Sequence, residues 1–272
     1  MAPPVREPDP PLITLTTDVG WSYASQMKGA ILRNAPRARI VDMTHEIASH
    51  QILEGAFLLR QCAAWYPPGT IHVGIVDPGV GGERRPIAIA CRGGTTLLGP
   101  DNGLLVPLAE HLGEPKTYHL DPQKVAPGGS VSPTFEGRDL FAPAAARLAM
   151  GTPVSELGTE TSYSPFQLPL PSVEPGLAHV IVLHVDPFGN AITNLPTSEF
   201  HNRVAGTGSF VVVRAHDKSY RAEVARHYES IPQGVLGVVG SSFGLIEVAV
   251  NRGRARDVLG LYPGARFSIQ RM

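Results

Sequence analysis

The sequence Ile-His-Val-Gly-Ile-Val-Asp-Pro-Gly-Val-Gly-Gly-Glu-Arg-Arg occupies residues 71–85 and indicates the fold class. Its first part, Ile71 to Val76, is an apolar run that predicts a buried strand. Asp77 ends the run, a turn rich in Gly and Pro follows, and Arg84 comes a few residues later. Ligands of open α/β sheets bind just beyond the carboxyl ends of the strands. Asp77 and Arg84 are therefore candidates for a polar pair at such a site.

Three further strand-like runs also end at an aspartate. They are Leu12–Thr17 at Asp18, Ile40–Val41 at Asp42, and Thr96–Gly99 at Asp101. Helices are predicted between and after these strands, from apolar residues at helical spacing. The first predicted helix has a buried face with Tyr23, Met27, Ala30 and Ile31. The second covers Gln51–Trp65, and the third covers about Leu140–Met150, after Asp139. This alternation predicts an α/β fold with a mostly parallel sheet covered by helices.

The chain is predicted to contain two domains. Residues 1–10 form a Pro-rich start that is predicted to be disordered, and residues 11–163 form the N-terminal α/β sandwich domain. Residues 164–178 carry four prolines, a spacing that disfavours helix and central strand alike, and are predicted to be a linker. Short apolar runs separated by Gly, Asn and Asp turns follow in residues 179–272. They predict a smaller, antiparallel, β-barrel-like domain.

Composition narrows the possible partners. The chain has 23 Lys and Arg residues and 24 Asp and Glu residues, whereas proteins that bind nucleic acids usually carry a clear basic excess. No run approaches the roughly 20 apolar residues that a membrane helix needs, and the start of the chain lacks an apolar signal core. Cys62 and Cys91 lie in apolar segments, as expected of buried thiols in a reducing cytoplasm. We therefore expect a cytoplasmic protein without nucleic-acid or membrane partners.

The common cofactor and catalytic motifs are absent from the sequence. The Gly-rich loop 79–82 lacks the Lys-Ser/Thr of a phosphate-binding loop, and there is no Gly-x-Ser-x-Gly elbow and no zinc-binding spacing. No cofactor and no metal are predicted. One alternative stays open: Asp18, Asp42, Asp77 and Asp101 together could hold Mg²⁺ in a metal-dependent phosphohydrolase. Arginines beside Asp77 argue against a dedicated cation site.

Each candidate residue has a structural interpretation beside the functional one. Asp18 either accepts hydrogen bonds from a sugar diol or caps the following helix. Asp77 and Arg84 form either a charge-assisted pair at a reaction centre or an ordinary loop salt bridge. Glu136 is either a further polar group of that centre or a solvated loop acid. The run Asp-Pro-Phe-Gly-Asn at 186–190 is either part of a ligand site or a hairpin turn.

Eight runs along nearly the whole chain carry a family resemblance. They are Leu15–Gly20, Met27–Gly29, Val41–His45, Val76–Gly81, Gly99–Leu104, Thr134–Asp139, Phe188–Asn190 with Thr193–Asn194, and Ser242–Asn251. The chain resembles the S-adenosylmethionine (SAM) hydroxide adenosyltransferases, which are related to the fluorinating and chlorinating enzymes. The resemblance implies hydrolysis of SAM to adenosine and L-methionine, by attack of water or hydroxide at the ribose C5′. It also implies a homotrimer with the substrate between the N-terminal domain of one subunit and the C-terminal domain of its neighbour.

Motif positions in the resemblance also imply roles for individual residues. The implied catalytic residues are Asp77, Arg84 and Glu136. Among the implied substrate-binding residues, Asp18 binds the ribose diol, Asp186 and Asn190 bind the amino and carboxylate end of methionine, and Phe188 lies in the adenosine pocket. Four more belong to the implied run that holds the methionine carboxylate and reads adenine: Ser242, Glu247, Val250 and Arg252. The last two, His50 and Asn102, lie near the sheet rim.

Two positions depart from the family's motifs. The family's triad of Asp, Arg and His has its histidine where this chain has Glu136, and we hypothesise that Glu136 shares a base or orienting role with Asp77 across Arg84. The first loop, Trp21–Tyr23, is shorter than in many relatives, which leaves its ligand contacts open. A halogenase is disfavoured because Asp77 stands where those enzymes have an uncharged residue, and a carboxylate repels a dehydrated halide.

The replacement of histidine by Glu136 motivates the main alternative, a catalytically weak sensor that binds SAM or adenosine. Calorimetry would distinguish the two, because a sensor binds its ligand tightly without releasing adenosine on long incubation. The phosphohydrolase alternative is tested with EDTA, since only a metal-dependent activity would be sensitive to it.

Overall fold

The computed structural model describes residues 10–272, so the predicted disordered start at residues 1–10 lies outside the described residues except for Pro10. The chain divides into two compact units between Gln167 and Leu168, within the Pro-rich segment 164–178. Part of that segment is nevertheless regular. Ser172–Glu174 forms a strand at the edge of a sheet, the position that best tolerates neighbouring prolines.

Within residues 10–167, seven strands form one sheet in the order β2-β1-β3-β5-β4-β6-β7. They are β1 (Leu12–Thr17), β2 (Arg39–Thr44), β3 (Ile71–Ile75), β4 (Pro86–Ala90), β5 (Thr96–Pro100), β6 (Lys116–Leu120) and β7 (Gly158–Thr161). Strands β2, β1, β3 and β5 are parallel, as predicted, and β4, β6 and β7 are antiparallel to their neighbours. The link from β3 to β4, residues 76–85, contains no helix and is too short for a parallel crossover, which explains the reversal.

Strand β2 differs from the prediction at its end. The apolar run Ile40–Val41 suggested that Asp42 follows the strand, but β2 continues through Asp42 to Thr44. β2 lies at the edge of the sheet, where side chains are only partly buried, so the strand extends beyond its apolar residues.

Helices cover this sheet. Those of residues 10–167 are α1 (Gly20–Asn34), α2 (Ile52–Ala63), α3 (Val106–Leu112), α4 (Pro122–Val125) and α5 (Ala142–Ala149). α1 buries Met27 and Ile31 as predicted, but Tyr23 is 52% exposed because the first turn of α1 borders a cavity. The helix predicted at about Leu140–Met150 begins earlier, with a π-helical turn at Gly137–Phe141 that leads into α5. The apolar core lies between the central strands, α1 and α5.

Residues 168–272 form a sheet of eight strands in the order β10-β14-β13-β12-β11-β15-β9-β8. They are β8 (Ser172–Glu174), β9 (Leu177–Val185), β10 (Ala191–Pro196), β11 (Phe210–Ala215), β12 (Lys218–Ala225), β13 (Leu236–Gly240), β14 (Leu245–Val250) and β15 (Arg266–Arg271). β10 also pairs with β9, which closes seven strands into a barrel and leaves β8 at the edge. Short helices α6 (Thr197–Glu199) and α7 (Ala255–Leu259) accompany the barrel. The predicted fold class is confirmed, with one parallel pair among these strands, β12 and β13.

Two further features are the apolar character of the helices and the burial of the two cysteines. No helix within residues 10–272 is both long enough and apolar enough to cross a membrane. Cys91 is buried and Cys62 half-buried, and burial raises the pKa of both thiols, that of Cys91 to about 11. Both side chains are therefore protonated near neutral pH and behave as small apolar groups.

Candidate active site

Three charged side chains meet just beyond the carboxyl end of β3. Arg84 Nε donates to both carboxylate oxygens of Asp77, at 3.0 and 2.9 Å, and Arg84 Nη2 donates to Asp77 Oδ2. The same Nη2 donates to Glu136 Oε2 at 2.6 Å. The side chains of Asp77, Arg84 and Glu136 are 5%, 11% and 15% exposed. The structure thus brings the three predicted catalytic residues into one acid–arginine–acid cluster.

The cluster keeps Arg84 charged. Burial alone disfavours the guanidinium charge, but the hydrogen bonds and negative charges of Asp77 and Glu136 outweigh it and raise the pKa of Arg84. Because two carboxylates share one guanidinium, the ionised cluster carries one excess negative charge. Such a centre attracts a cation and repels a small anion such as a halide.

Asn102 holds the end of β3 in place. Its Nδ2 donates to the Val76 carbonyl at 2.8 Å, and its Oδ1 accepts from Leu104 N at 3.2 Å. The amide predicted to bind substrate therefore has both ends engaged by the backbone, and it positions the residue before Asp77. Gly79 N adds a hydrogen bond to Asp77 Oδ1 at 3.3 Å.

Gly81 brings the loop after β3 against the segment that precedes Glu136. Its φ is +74°, and a Cβ at this position would lie 2.2 Å from the Pro133 carbonyl oxygen. We expect Gly81→Ala to lower the free energy of unfolding by about 3 kcal/mol, because it adds backbone strain and forces the two segments apart. Chemical denaturation measures this loss, and a reduced kcat would accompany it as Arg84 moves away from Glu136.

Gly128→Ala is the matched control for Gly81→Ala. Gly128 has nearly the same φ, +72°, but a Cβ there would meet nothing within 4 Å. Only the backbone cost, about 1 kcal/mol, is expected, with activity unchanged. Equal losses of stability in the two variants would show that the approach to Pro133 is unimportant.

A cavity of about 460 Å³ lies beside the cluster, and Asp77 is the cluster residue that lines it. Asp18 and His50, two of the predicted substrate-binding residues, line the same cavity. Asp18 Oδ2 accepts from His50 N at 2.9 Å, and His50 has a φ of +68°, uncommon for a residue other than glycine. The alternative interpretation of Asp18 as a helix cap is wrong, because the N-cap of α1 is Val19.

The other two strand aspartates are bound by cations of the protein. Asp42 accepts from Lys28 Nζ at 2.8 Å and from His45 Nε2 at 2.9 Å. Burial favours the neutral acid, but these hydrogen bonds and charges outweigh it and lower the pKa of Asp42. Asp101 accepts from Arg85 Nε at 3.1 Å and from Ser164 N at 2.7 Å. Among residues 10–272, no group of three or more His, Cys, Asp or Glu side chains is placed to hold a metal ion, so these aspartates do not form the shared Mg²⁺ site considered above.

The C-terminal unit has a cavity of its own, of about 560 Å³, beside the hairpin turn between β9 and β10. Asp186 accepts from Asn190 N and Nδ2, each at 2.9 Å, and Phe188 is 74% exposed on the rim. Val250, the last residue of β14, and Arg252, in the turn that follows, also line the cavity. Five predicted substrate-binding residues therefore share one cavity. The run 186–190 is a hairpin turn that also lines this cavity, so its part in a ligand site stays a prediction.

Glu247 and Ser242 are placed differently. Glu247 is 3% exposed and accepts a hydrogen bond from the hydroxyl of Tyr228, which lines the cavity. Burial and the charge of Asp186 raise the pKa of Glu247 against the effect of that hydrogen bond, and burial and Glu247 raise the pKa of Tyr228. Glu247 therefore reaches the cavity through Tyr228. Ser242 lies in an exposed turn at the opposite end of β14 from Val250, so within this unit the structure does not bring it to the cavity.

Several cavity-lining residues were missed by the sequence analysis: Tyr23, Phe135 and Arg138 in the N-terminal unit and Tyr228 in the C-terminal unit. The rings of Tyr23 and Phe135 meet edge to face at 5.1 Å, and the Arg138 guanidinium lies 5.2 Å from the Phe135 ring centroid. Phe135 and Arg138 fall within the run Thr134–Asp139, which was a usable signal. Nothing in the residue pattern distinguishes Tyr228, and helical periodicity assigned Tyr23 to the core.

Comparison with known families decides the relationship. The family model of the SAM hydroxide adenosyltransferase N-terminal domain matches residues 13–158, and that of the C-terminal domain matches residues 180–268. The chain belongs to the SAM hydroxide adenosyltransferase family. Asp77, Arg84 and Glu136 lie within the match to that family's N-terminal domain, and the hairpin turn 186–190 lies within the match to its C-terminal domain. The resemblance stated from the sequence motifs is confirmed.

Individual relatives agree with the family assignment. The chain is 38% identical over 269 residues to a Salinispora arenicola protein named (R)-S-adenosyl-L-methionine hydrolase, covering 95% of this chain and 97% of that one. It is 30% identical over 227 residues to a fluorinase of Actinoplanes sp., covering 73% and 75%. The crystal structure of an uncharacterized conserved protein from Thermotoga maritima matches with a TM-score of 0.86 and 33% identity, over 96% of this chain and all of that one. Relatives of the chain therefore include proteins named hydrolase and proteins named fluorinase, and the geometry of the site bears on which of the two activities it supports.

Proposed function

We propose that this protein hydrolyses S-adenosyl-L-methionine to adenosine and L-methionine by displacement at the ribose C5′. The observation that carries the proposal is the buried Asp77–Arg84–Glu136 cluster, which presents Asp77 to a cavity in a chain of this family. The substrate's sulfonium is cationic, and the net negative cluster attracts it. Because the sulfonium is already a good leaving group, the protein has mainly to position and deprotonate a water molecule.

Asp77 is the proposed contact of the attacking water, since it lines the cavity. The water oxygen forms a bond to C5′ while the bond from C5′ to sulfur breaks, the electron pair leaves with methionine, and the water proton passes to Asp77. Arg84 binds both oxygens of Asp77 and so fixes the plane of the carboxylate. Glu136 holds the same guanidinium through Nη2 and acts as a positioning residue. This proposal gives Glu136 the orienting role rather than the base role.

The two cavities supply the proposed substrate contacts. Asp18 takes the ribose diol, Asp186 and Asn190 take the amino and carboxylate end of methionine, and Phe188 covers the adenosine. Phe188 is too exposed to contribute to a core, which supports covering of the rim by a partner or ligand. We accordingly propose a cytoplasmic homotrimer in which the N-terminal cavity of one subunit and the C-terminal cavity of its neighbour hold one SAM. The proposed reaction uses no cofactor, and no nucleic-acid or membrane partner is proposed.

A sensor that binds SAM or adenosine with little turnover is the second candidate. The observation that favours it is Glu136, which stands where the family motif has histidine and whose Oε2 is engaged by Arg84. A halogenase is less well supported, because the carboxylate of Asp77 faces the cavity in which a halide would have to lie.

The deciding experiment incubates the purified protein with SAM in ¹⁸O-labelled water, with and without chloride, and separates the products by chromatography. We expect adenosine labelled at its 5′ oxygen, at a rate independent of chloride. A chlorinated nucleoside would place the chain in the halogenase branch. Retention of bound SAM without any product would establish the sensor.

Asp18→Ala tests the proposed ribose contact. Loss of a charged hydrogen-bond acceptor is expected to raise KM for SAM by about tenfold or more, with a much smaller change in kcat. Steady-state kinetics of adenosine release measure both constants. Asp121→Ala is the control, because Asp121 also accepts from a backbone N–H, that of Gln123, but does so at the start of α4. An unchanged KM in Asp18→Ala would remove Asp18 from the substrate site.

A further inference from the structure

Two rows of side chains cross the outer face of the barrel on β8, β9, β15 and β11. The first row consists of residues paired from strand to strand: Ser172, His179, Ser268 and Arg214. The second row consists of Ile181 and Arg266, which are paired on β9 and β15, flanked by Leu170 just before β8 and His216 in the turn after β11. Side chains two residues apart in a strand point to the same face. These eight residues line a cavity of about 620 Å³ that takes no part in the proposed reaction.

The titratable side chains that line the cavity are all basic. Two arginines and two histidines line it, and none of its lining residues is acidic. Among residues 10–272, Arg214 and Arg266 have no ion pair and no side-chain hydrogen bond, and both are exposed. Arg203 and Arg254 of the same unit, by contrast, are paired with Glu199 and Asp257.

The geometry of the sheet lets the two arginines act together. Arg214 pairs with Ser268, and Arg266 is two residues from Ser268 on the same strand. Diagonal neighbours of this kind lie about 7–8 Å apart, within reach of long side chains, so both guanidiniums can contact one group between them. Like charges so close repel each other unless an anion lies between them. The nearest acids along these strands and turns, Glu174 and Asp217, do not line the cavity.

We propose that this face is a second ligand site, which binds the phosphate group of a small organic phosphate. Arg214 and Arg266 supply forked donors that match phosphate oxygens, and the hydroxyls of Ser172 and Ser268 supply further donors. Leu170 and Ile181 give the organic part of the ligand an apolar surface, as small-molecule sites usually do. This phosphate site is independent of SAM hydrolysis, and its test does not depend on whether the protein hydrolyses SAM.

Calorimetric titration with inorganic phosphate and with phenyl phosphate tests the proposal on the full chain. Saturable binding of both is expected, with phenyl phosphate tighter because its ring lies on Leu170 and Ile181. Arg214→Gln and Arg266→Gln should each weaken binding of phenyl phosphate about tenfold, the effect of losing one charged hydrogen-bonding partner. Both side chains are exposed, so both variants are expected to fold.

Arg221→Gln is the matched control. Arg221 lies on β12, paired with Val212 of β11, and its guanidinium is 3.7 Å from the Phe210 ring centroid, away from the cavity lining. Binding of phenyl phosphate should be unchanged in this variant. Absence of saturable binding to the unaltered protein, or equal weakening in Arg214→Gln and Arg221→Gln, would overturn the proposal. Binding unaffected by both Arg214→Gln and Arg266→Gln would also overturn it, because the phosphate would then lie elsewhere.

Discussion

Asp77→Asn is expected to lower kcat for adenosine release from SAM by about 10²-fold or more, the usual cost of losing a general base. The amide keeps the size of the carboxylate but accepts no proton from water, and its NH₂ group opposes the donors of Arg84. Asp77 lines the cavity without being assigned to the ribose or to methionine, so KM should rise only through the lost attraction of its charge for the sulfonium, by much less than kcat falls. Single-turnover and steady-state kinetics give both constants, and thermal unfolding confirms that the variant folds.

Asp101→Asn is the matched control for Asp77→Asn. Asp101 also follows a strand of the same sheet, has a side chain only 2% exposed, and is bound by the arginine next to Arg84 in the sequence. The two substitutions therefore remove comparable buried charges, but Asp101 binds Arg85 and Ser164 instead of facing the cavity. Asp101→Asn should destabilise the protein and leave kcat nearly unchanged. A similar fall in kcat in both variants would mean that the effect of Asp77→Asn reflects folding and not chemistry.

The cluster around Arg84 could be predicted from sequence because local rules determine most of it. The apolar run of β3 fixes the strand, the turn after Asp77 needs Gly and Pro, and residues beyond a strand's carboxyl end lie at the sheet rim. Only the contact between Arg84 and Glu136, which are 52 residues apart, required the family resemblance. The motif placed Glu136 there, and the structure added that Arg84 bridges the two acids.

Other features depend on contacts that no local pattern encodes. The family motif predicted that Asn102 binds the substrate, yet its side-chain amide is hydrogen-bonded to the backbone of Val76 and Leu104. Tyr228 reaches the C-terminal cavity only because the barrel brings its hydroxyl to Glu247, which is 19 residues away. The rows of side chains on the outer barrel face arise from strand register between distant segments. Register was not predictable here, because period-two alternation identifies a strand but not its partner.

Arg84→Met is expected to lower the free energy of unfolding by about 3 kcal/mol at neutral pH, besides lowering kcat by about 10²-fold or more. The substitution leaves Asp77 and Glu136 largely buried and facing each other without the cation that both contact. Methionine fills most of the volume of the arginine stem, so the loss reports mainly on charge. Urea denaturation of the variant and the unaltered protein measures the difference.

Two comparisons separate the effect of buried charge from that of a lost side chain. Arg92→Met breaks an ion pair with Glu114 in which both side chains are 68% exposed, and such a pair contributes at most about 1 kcal/mol. Adding Glu136→Gln to Arg84→Met removes one of the two uncompensated carboxylates and should restore about 1 kcal/mol or more of stability without restoring kcat. If Glu136→Gln instead lowers the free energy of unfolding of Arg84→Met still further, the two carboxylates do not repel each other in Arg84→Met. In that case the shared guanidinium would not be what holds Asp77 and Glu136 together.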